Sequence, residues 1–580
     1  MTSQTREPNL TDATLRRETD SLTAKHIICA FCALFLFNLL LRVFYLRYDF
    51  VNGDEAVRAL TAIRVLEGAR LYSEIVTDKP PGATLFYAGV FALFGRSMVA
   101  VHLAATVWNF LTSIVVWLIA SRFTTRRAGI WAAFLFVYFS TNYLTQDMMA
   151  ANTELLMVLP YTASFYWFMK AQRTESGFGS PSRKARWSDQ RPGALIIAGL
   201  LTGVAALFKQ VAVLNLVFFA LYEIGTVYLA RSELRRSTAT MSVSRLLVAV
   251  MGFSAVAAAL AAWLAANGTQ SDFWRYVVVL GTYYLDSLPA GLWLKYFAGR
   301  GLGYVLFNGA LWMLATWTAV RSVRILKSSR GAQFGSGSYF HSGDTAFHLA
   351  VTLWGAASLA AVIPGGRFFG HYFIQALPAL SLLGARGAEL LAERLKDPPA
   401  RVNARAAVAL LAVLFLVGFI RSHHRTAVLA YETLTGARTS ASATWGMTRR
   451  EDEAQIVAEA VRREIGEGEP LYAWDYALDV YWRSRCRPAS RYLTTYYITG
   501  SFAEGEMRLD ASAKEFLAEA RRNLVDDLRR TRPRLILDVN RGMRSLPYPE
   551  ITEFLTKNYT EGAVIGPGVE RRVTILRRKD

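Results

Sequence analysis

The run Ala83-Thr84-Leu85-Phe86-Tyr87-Ala88-Gly89-Val90-Phe91-Ala92-Leu93-Phe94 is apolar from end to end. At about twelve residues it falls short of the ~20 that a helix needs to cross a hydrocarbon core. Its status decides which side of a membrane every later loop occupies, and its length suits a segment lying in the interface. Counted as non-crossing, it leaves one side holding Arg122, Arg126 and Arg127, then Arg183, Lys184, Arg186 and Arg191, then Arg231, Arg235, Arg236 and Arg245. Arg321, Arg324, Lys327 and Arg330 follow, then Arg394, Lys396, Arg401 and Arg405. Such an excess of Lys and Arg marks the cytoplasm. The opposite side receives the first outer loop 47–97, the turns around Asp147 and Lys209, the stretch 267–300, the turn 365–371 and everything after Arg421.

Outward from this segment, apolar runs of spanning length begin at about Ile27, Met98, Ala128, Leu155, Leu246, Gly301, Phe347, Tyr372 and Ala406. A longer one, 194–230, is interrupted by Lys209 and Gln210 and reads as two spans joined by a tight turn. The expected fold is therefore mainly α, a polytopic membrane bundle of about eleven transmembrane helices. After Arg449, charged helical segments alternate with short apolar runs (471–474, 535–539, 573–576), the pattern of a small α/β domain. The expected organisation is a cytoplasmic tail over 1–26, a membrane part over 27–421 and an extracytoplasmic domain over 422–580. The polar tail precedes an apolar run too long for a signal-peptide core, so that run is expected to be retained. Two stretches rich in Gly, Ser and Arg, 174–192 and 328–344, read as mobile loops.

Composition agrees. Of 580 residues 53% are hydrophobic, too many for one soluble globule, and the net charge of +20 is spread between apolar runs, as for contact with anionic lipid rather than nucleic acid. Cys29 and Cys32 lie in the first apolar run and Cys486 is alone in the tail, so no disulfide is expected within the C-terminal domain.

The ionisable residues at helix ends on the outer side are the candidates for chemistry. An unpaired charge at membrane depth costs ~2.5–3.5 kcal/mol or more. The first outer loop carries Asp54-Glu55 and Asp78-Lys79-Pro80; Asp147 and Glu154 bracket the turn containing Asn152; Lys209 breaks the long run; Arg367 and His371-Tyr372 close the turn before the tenth span. Each has a plain structural reading: Asp54 and Asp147 as helix caps, Lys209 as a snorkelling side chain, Arg367 and His371 as headgroup anchors. Their gathering on one face favours a site.

In order and sidedness these elements resemble those of the GT-C membrane glycosyltransferases, in the branch of the dolichyl-phosphate-mannose-protein mannosyltransferases and the lipid A aminoarabinose transferase. The pieces that carry the resemblance are Asp54-Glu55, Asp78-Lys79-Pro80, Asn152-Thr153-Glu154, Phe208-Lys209 and Arg367 with His371-Tyr372-Phe373. The resemblance implies transfer of a sugar from a polyprenyl-phosphate donor to a hydroxyl on an acceptor lipid, glycan or protein, at the outer face of the cell's inner membrane. It implies Asp54 as general base, with Glu55, Asp78 and Glu154 as further catalytic carboxylates. Lys79, Asp147, Asn152, Lys209, Arg367, His371 and Tyr372 are then substrate-binding. No cofactor is required; a divalent metal at Asp78 stays open. The competing reading is a transporter or lipid flippase, with Glu154, Lys209, His371 and the unexplained Glu223 along its path. A noncatalytic scaffold for the outer domain is the third.

Overall fold

The computed structural model describes residues 23–174, 177–178, 191–230, 235–331, 343–475, 477–502, 504–566 and 572–579. Most of the N-terminal tail and of the two Gly/Ser/Arg-rich loops lies outside them. The first helix, α1 (Ala24–Arg42), begins at Thr23, whose hydroxyl accepts the His26 amide. The loop 47–97 then forms α2 (Gly53–Leu66), capped by Asn52, and α3 (Gly82–Phe94), which contains the short apolar run 83–94. Next come α4 (Met98–Phe123), α5 (Arg126–Phe139), α6 (Thr153–Ala171), α7 (Pro192–Phe208), α8 (Leu214–Leu229) and α9 (Arg235–Asn267).

The stretch 267–300, expected as a loop, is instead mostly helical: α10 (Gln270–Asp286) and α11 (Ala290–Phe307) meet at a bend of 88°. Aromatic and charged residues alternate there without a long apolar run, which hid the helices. The remaining membrane helices are α12 (Gly309–Gly331), α13 (Gly343–Ala360), α14 (Leu377–Lys396) and α15 (Arg401–Thr435). The boundary expected at 421/422 falls inside α15.

All eleven apolar runs are thus helical, but they are not alike. Five of the described helices are long and apolar enough to cross a membrane unaided: α1 with its extension to Arg47, α4, α8 with its lead-in from Gln210, α9 and α15. Their outward faces, such as Val408, Val413, Leu416, Val417 and Ile420 on α15, are exposed because lipid is their solvent. Others, such as α6 with Leu155, Leu156, Met157 and Val158 fully buried, are interior helices that meet protein on all sides. Glycines let two helices touch: a Cβ on Gly199 would stand 1.9 Å from the Ala249 carbonyl oxygen, and one on Gly252 2.3 Å from that of Ile196. This small-residue contact clamps α7 to α9 and fixes where α7 ends, at Lys209.

The C-terminal region is α/β. Five strands, β1 (Pro470–Ala473), β2 (Arg487–Pro488), β3 (Leu535–Val539), β4 (Tyr559–Ile565) and β5 (Val573–Arg578), form one sheet in the order β2-β1-β3-β5-β4. β1 is parallel to β2 and β3, and β5 antiparallel to β3 and β4. The wholly buried β3 is its centre, with helices α16 (Gly446–Glu464), α17 (Leu478–Ser484) and α18 (Ala511–Thr531) packed around it. All three cysteines are free.

This domain sits on the loop that follows α1. Tyr48 and Thr448 share a hydrogen bond of 3.0 Å, Arg483 pairs with Asp49 at 2.7 Å, and the Asp49 amide donates to Glu451 at 2.6 Å. Burial, with Asp49 and Asp479 nearby, pushes Glu451 up to about 7, against the pull of that amide and of Arg483. Its folded value lies above the unfolded carboxylate value, so its contribution is fully present at low pH and is lost as pH rises through about 7. The melting temperature is expected to fall between pH 6 and pH 8 in the native protein, and this dependence to flatten in Glu451→Gln; an unchanged slope in the variant would contradict the assignment.

Candidate active site

The cap of α2 sets the first acid. Asn52 accepts the Glu55 amide at 3.1 Å, so Asp54 need not cap the helix and its side chain stays 57% exposed. One turn on, Arg58 is buried and reaches Asp54 at 3.2 Å; its Nε and Nη1 meet no hydrogen-bond partner. Desolvation works against the charge on Asp54, but Arg58, His371 and Lys79 outweigh it and hold the carboxyl below its usual value. Asp54 is therefore an ionised proton acceptor at neutral pH.

The neighbouring Glu55 faces elsewhere. It is fully buried and accepts from the Val51 amide at 2.7 Å and the Ala151 amide at 2.6 Å, with His102 Nε2 3.0 Å away. Both oxygens of Glu55, expected to be catalytic, are thus engaged in tying the first loop to the turn after α5.

Lys79 Nζ lies 2.6 Å from Asp78. Burial opposes its charge, but Asp78 prevails and the ammonium is pushed up to about 12, fixing it as a cation. The Tyr72 hydroxyl holds the Lys79 carbonyl at 3.2 Å. Just beyond, Gly82 packs so closely on α7 that a Cβ would stand 2.6 Å from the Leu207 carbonyl oxygen, which brings the loop bearing Lys79 to the end of α7. There Lys209 pairs with Glu154, its ammonium 4.0 Å from the Tyr372 ring centroid. Lys209 also feels the charges of Lys79 and Asp54.

His371 completes the group. Its Nδ1 lies 3.0 Å from Asp147 Oδ1, and its Nε2 3.9 Å from Glu154. The other oxygen of Asp147 accepts the Gly370 amide at 3.0 Å, where a Cβ would stand 2.4 Å from the Tyr143 ring. Asp147, expected to bind substrate, thus orients His371. Asn152 likewise joins loops, donating to the Asp147 carbonyl and accepting from Asn52, each at 3.1 Å.

Arg367, expected to bind substrate, is wholly buried. Its guanidinium donates to the carbonyls of Tyr284 and Gly365 and to Ser287, and stacks 3.8 Å from the Tyr284 ring centroid. Tyr284 in turn meets the Tyr372 hydroxyl at 3.2 Å. Arg367 therefore props the aromatic wall. Sequence reading missed Arg58, which an Asp54/Arg58 spacing of four on a helix would have flagged, and Tyr284, which sits in the stretch read as loop.

The donor set does not fit a metal held by protein. Among the described residues no three His, Cys, Asp or Glu side chains gather around a common point, and Asp78 is engaged by Lys79. Glu223 also finds its explanation: it is buried and accepts from Gln172 and Ser242, each at 2.7 Å, with Arg245 at 3.7 Å. It binds α6, α8 and α9 together and marks no transport path.

The family model described as dolichyl-phosphate-mannose-protein mannosyltransferase matches residues 78–260, the part holding Lys79, Glu154 and Lys209. ArnT from Cupriavidus metallidurans has the same fold: its apo structure is 15% identical with TM-score 0.54, and its structure bound to undecaprenyl phosphate is 14% identical with TM-score 0.52, each covering 95% of this chain and 98% of the other. The chain therefore has the fold of a membrane glycosyltransferase of known structure, and about a third of it matches the mannosyltransferase model. The archaeal oligosaccharyltransferase AglB from Archaeoglobus fulgidus, in complex with an inhibitory peptide and a dolichol-phosphate, is 12% identical, with TM-score 0.50 over 95% of this chain and 76% of that one. No curated protein matches. In this chain Asp54, Arg58, Lys79, Glu154, Lys209, His371 and Tyr372 lie close enough to feel one another's charge or to share a contact.

Proposed function

We propose that this protein is a membrane glycosyltransferase that takes its sugar from a polyprenyl-phosphate carrier and passes it to an acceptor hydroxyl at the extracytoplasmic face of the inner membrane, with Asp54 as general base. The observation that carries the reading is the exposed, ionised Asp54 carboxylate set among Lys79, Lys209 and His371. A hydroxyl attacking an anomeric carbon must shed its proton, and Asp54 accepts it. As the new C–O bond forms, the bond from the anomeric carbon to the phosphate oxygen breaks and negative charge moves to the phosphate. Arg58, Lys79, Lys209 and His371 hold that charge. Glu154 keeps Lys209 in place. The carriers bound to ArnT and AglB, undecaprenyl phosphate and a dolichol-phosphate, support a lipid-phosphate donor.

Sidedness rests on charge. The basic ends of α4, α5, α14 and α15 lie together, with Thr125 bonded to Glu389, and the site and the C-terminal domain lie at the other end. Residues 27–421 then form the catalytic membrane part, and 422–580 the outer domain.

Direct displacement inverts the sugar. Purified enzyme given a lipid-linked sugar of known anomer is expected to release polyprenyl phosphate and yield the opposite anomer by NMR. Retention of configuration would remove the single-base scheme.

A further inference from the structure

Where α2 ends, between the membrane part and the C-terminal domain, lies a cavity of about 310 Å³ that the transfer reaction does not use. Four arginines line it, Arg64 and Arg96 from the first outer loop and Arg485 and Arg487 from the C-terminal domain, against the single carboxylate of Glu67. Glu67 is shared: it pairs with Arg64 and stands 3.6 Å from Arg487. Arg96 is stacked on Trp482, 4.5 Å from the ring centroid, and donates to the carbonyls of Trp482 and Tyr481. Arg485, 3.5 Å from Glu467, has φ +57°, a left-handed conformation at a helix end that glycine or asparagine would adopt more easily. The chain holds an arginine there at a cost in backbone energy. Burial and the nearby Arg485 also hold Arg96 below its usual value, against the pull of Glu67, Glu467 and Asp49.

Beside this basic cavity the surface is apolar. Leu93 and Phe94, which immediately precede Gly95-Arg96, are 78% and 68% exposed, and Leu66 next to Glu67 is exposed as well. Apolar tips that enter a bilayer set the adjoining guanidinium groups at headgroup depth. Guanidinium forks match phosphate oxygens pairwise, and several in one cavity suit a dianion.

We propose that this cavity binds a phosphate monoester carried on a lipid headgroup, which clasps the C-terminal domain to the first outer helix. The site is separate from the active site: Arg64 lies ten residues along α2 from Asp54, about 15 Å at helical rise. The two are nonetheless joined by one continuous helix, so a seated headgroup steadies the element that carries the general base.

The test uses the full chain in phosphatidylcholine nanodiscs, with phosphatidic acid added at low mole fraction or pyrophosphate added in solution, and binding read by native mass spectrometry and thermal shift. Phosphatidic acid is expected to bind saturably, and at least tenfold more weakly to the Arg485→Gly/Arg487→Gln protein; glycine suits the +57° backbone, so that variant keeps its fold. Binding of phosphatidic acid alone assigns the site to lipid, whereas equal binding of pyrophosphate shows that phosphate suffices and overturns the lipid source. Binding unaffected by the double variant, or lost instead in Lys209→Gln, would overturn the proposal, the latter by placing the ligand in the active site.

Discussion

Asp54→Asn is expected to keep the fold and the donor affinity of the native enzyme while kcat for sugar transfer falls by about 10²–10⁴, the range a positioned general base contributes. The substitution keeps the shape of the side chain and removes only its capacity to take a proton. Arg58 is buried and loses its counter-charge, though the asparagine oxygen can still accept its hydrogen bond. Some loss of stability is therefore expected, and the rate is compared at a temperature where both proteins are folded. Labelled lipid-linked sugar turned over by both proteins, with donor binding measured separately, checks the split. A variant that transfers sugar at more than a tenth of the native rate would remove Asp54 from the proton-transfer step.

Lys209→Gln should be damaging twice over. Glu154 has a side chain only 2% exposed and is paired with Lys209; removing one partner of a buried pair costs about 3–5 kcal/mol. The same lysine belongs to the proposed site, where losing a preorganised group that stabilises developing charge costs about 10²–10³ in rate. The two losses separate in the double variant Glu154→Gln/Lys209→Gln. With no unpaired carboxylate left, thermal stability should return most of the way, while transfer stays low. Recovery of both would show that Lys209 serves the fold alone.

Much of the fold was legible because the bilayer imposes a length on each apolar run, and all eleven such runs are helices. The short run 83–94 is a helix as well. The pair α10–α11 was not legible: Arg275, Asp286, Lys295 and Arg300 break its apolar pattern, and two of those charges are met by the C-terminal domain, Arg275 by Glu519 and Arg300 by Glu504. Contacts made across hundreds of residues leave no periodic trace in sequence.

The site divides in the same way. Lys79, Glu154, Lys209 and His371 stood out because charges beside apolar helices are costly unless paired or used. Whether such a group takes part in the site or supports it depends on partners that spacing does not reveal. Glu55 is spent on two backbone amides and a histidine, and Arg367 on two carbonyls and a serine; each reads in sequence as one more available charge. Arg58 failed in the opposite sense. Four residues after Asp54 on an amphipathic helix, it reads as a surface ion pair, yet it is buried with donors to spare.

The most direct measurement is a density map of the enzyme in nanodiscs with a polyprenyl-phosphonate sugar, whose carbon link to phosphorus cannot be transferred. The account predicts the phosphonate within contact of Lys79, Lys209 and His371, and the anomeric carbon one acceptor hydroxyl away from Asp54. A phosphonate seated elsewhere in the bundle, or an anomeric carbon more than about 10 Å from Asp54, several times the hydrogen-bond reach a general base requires, would contradict it.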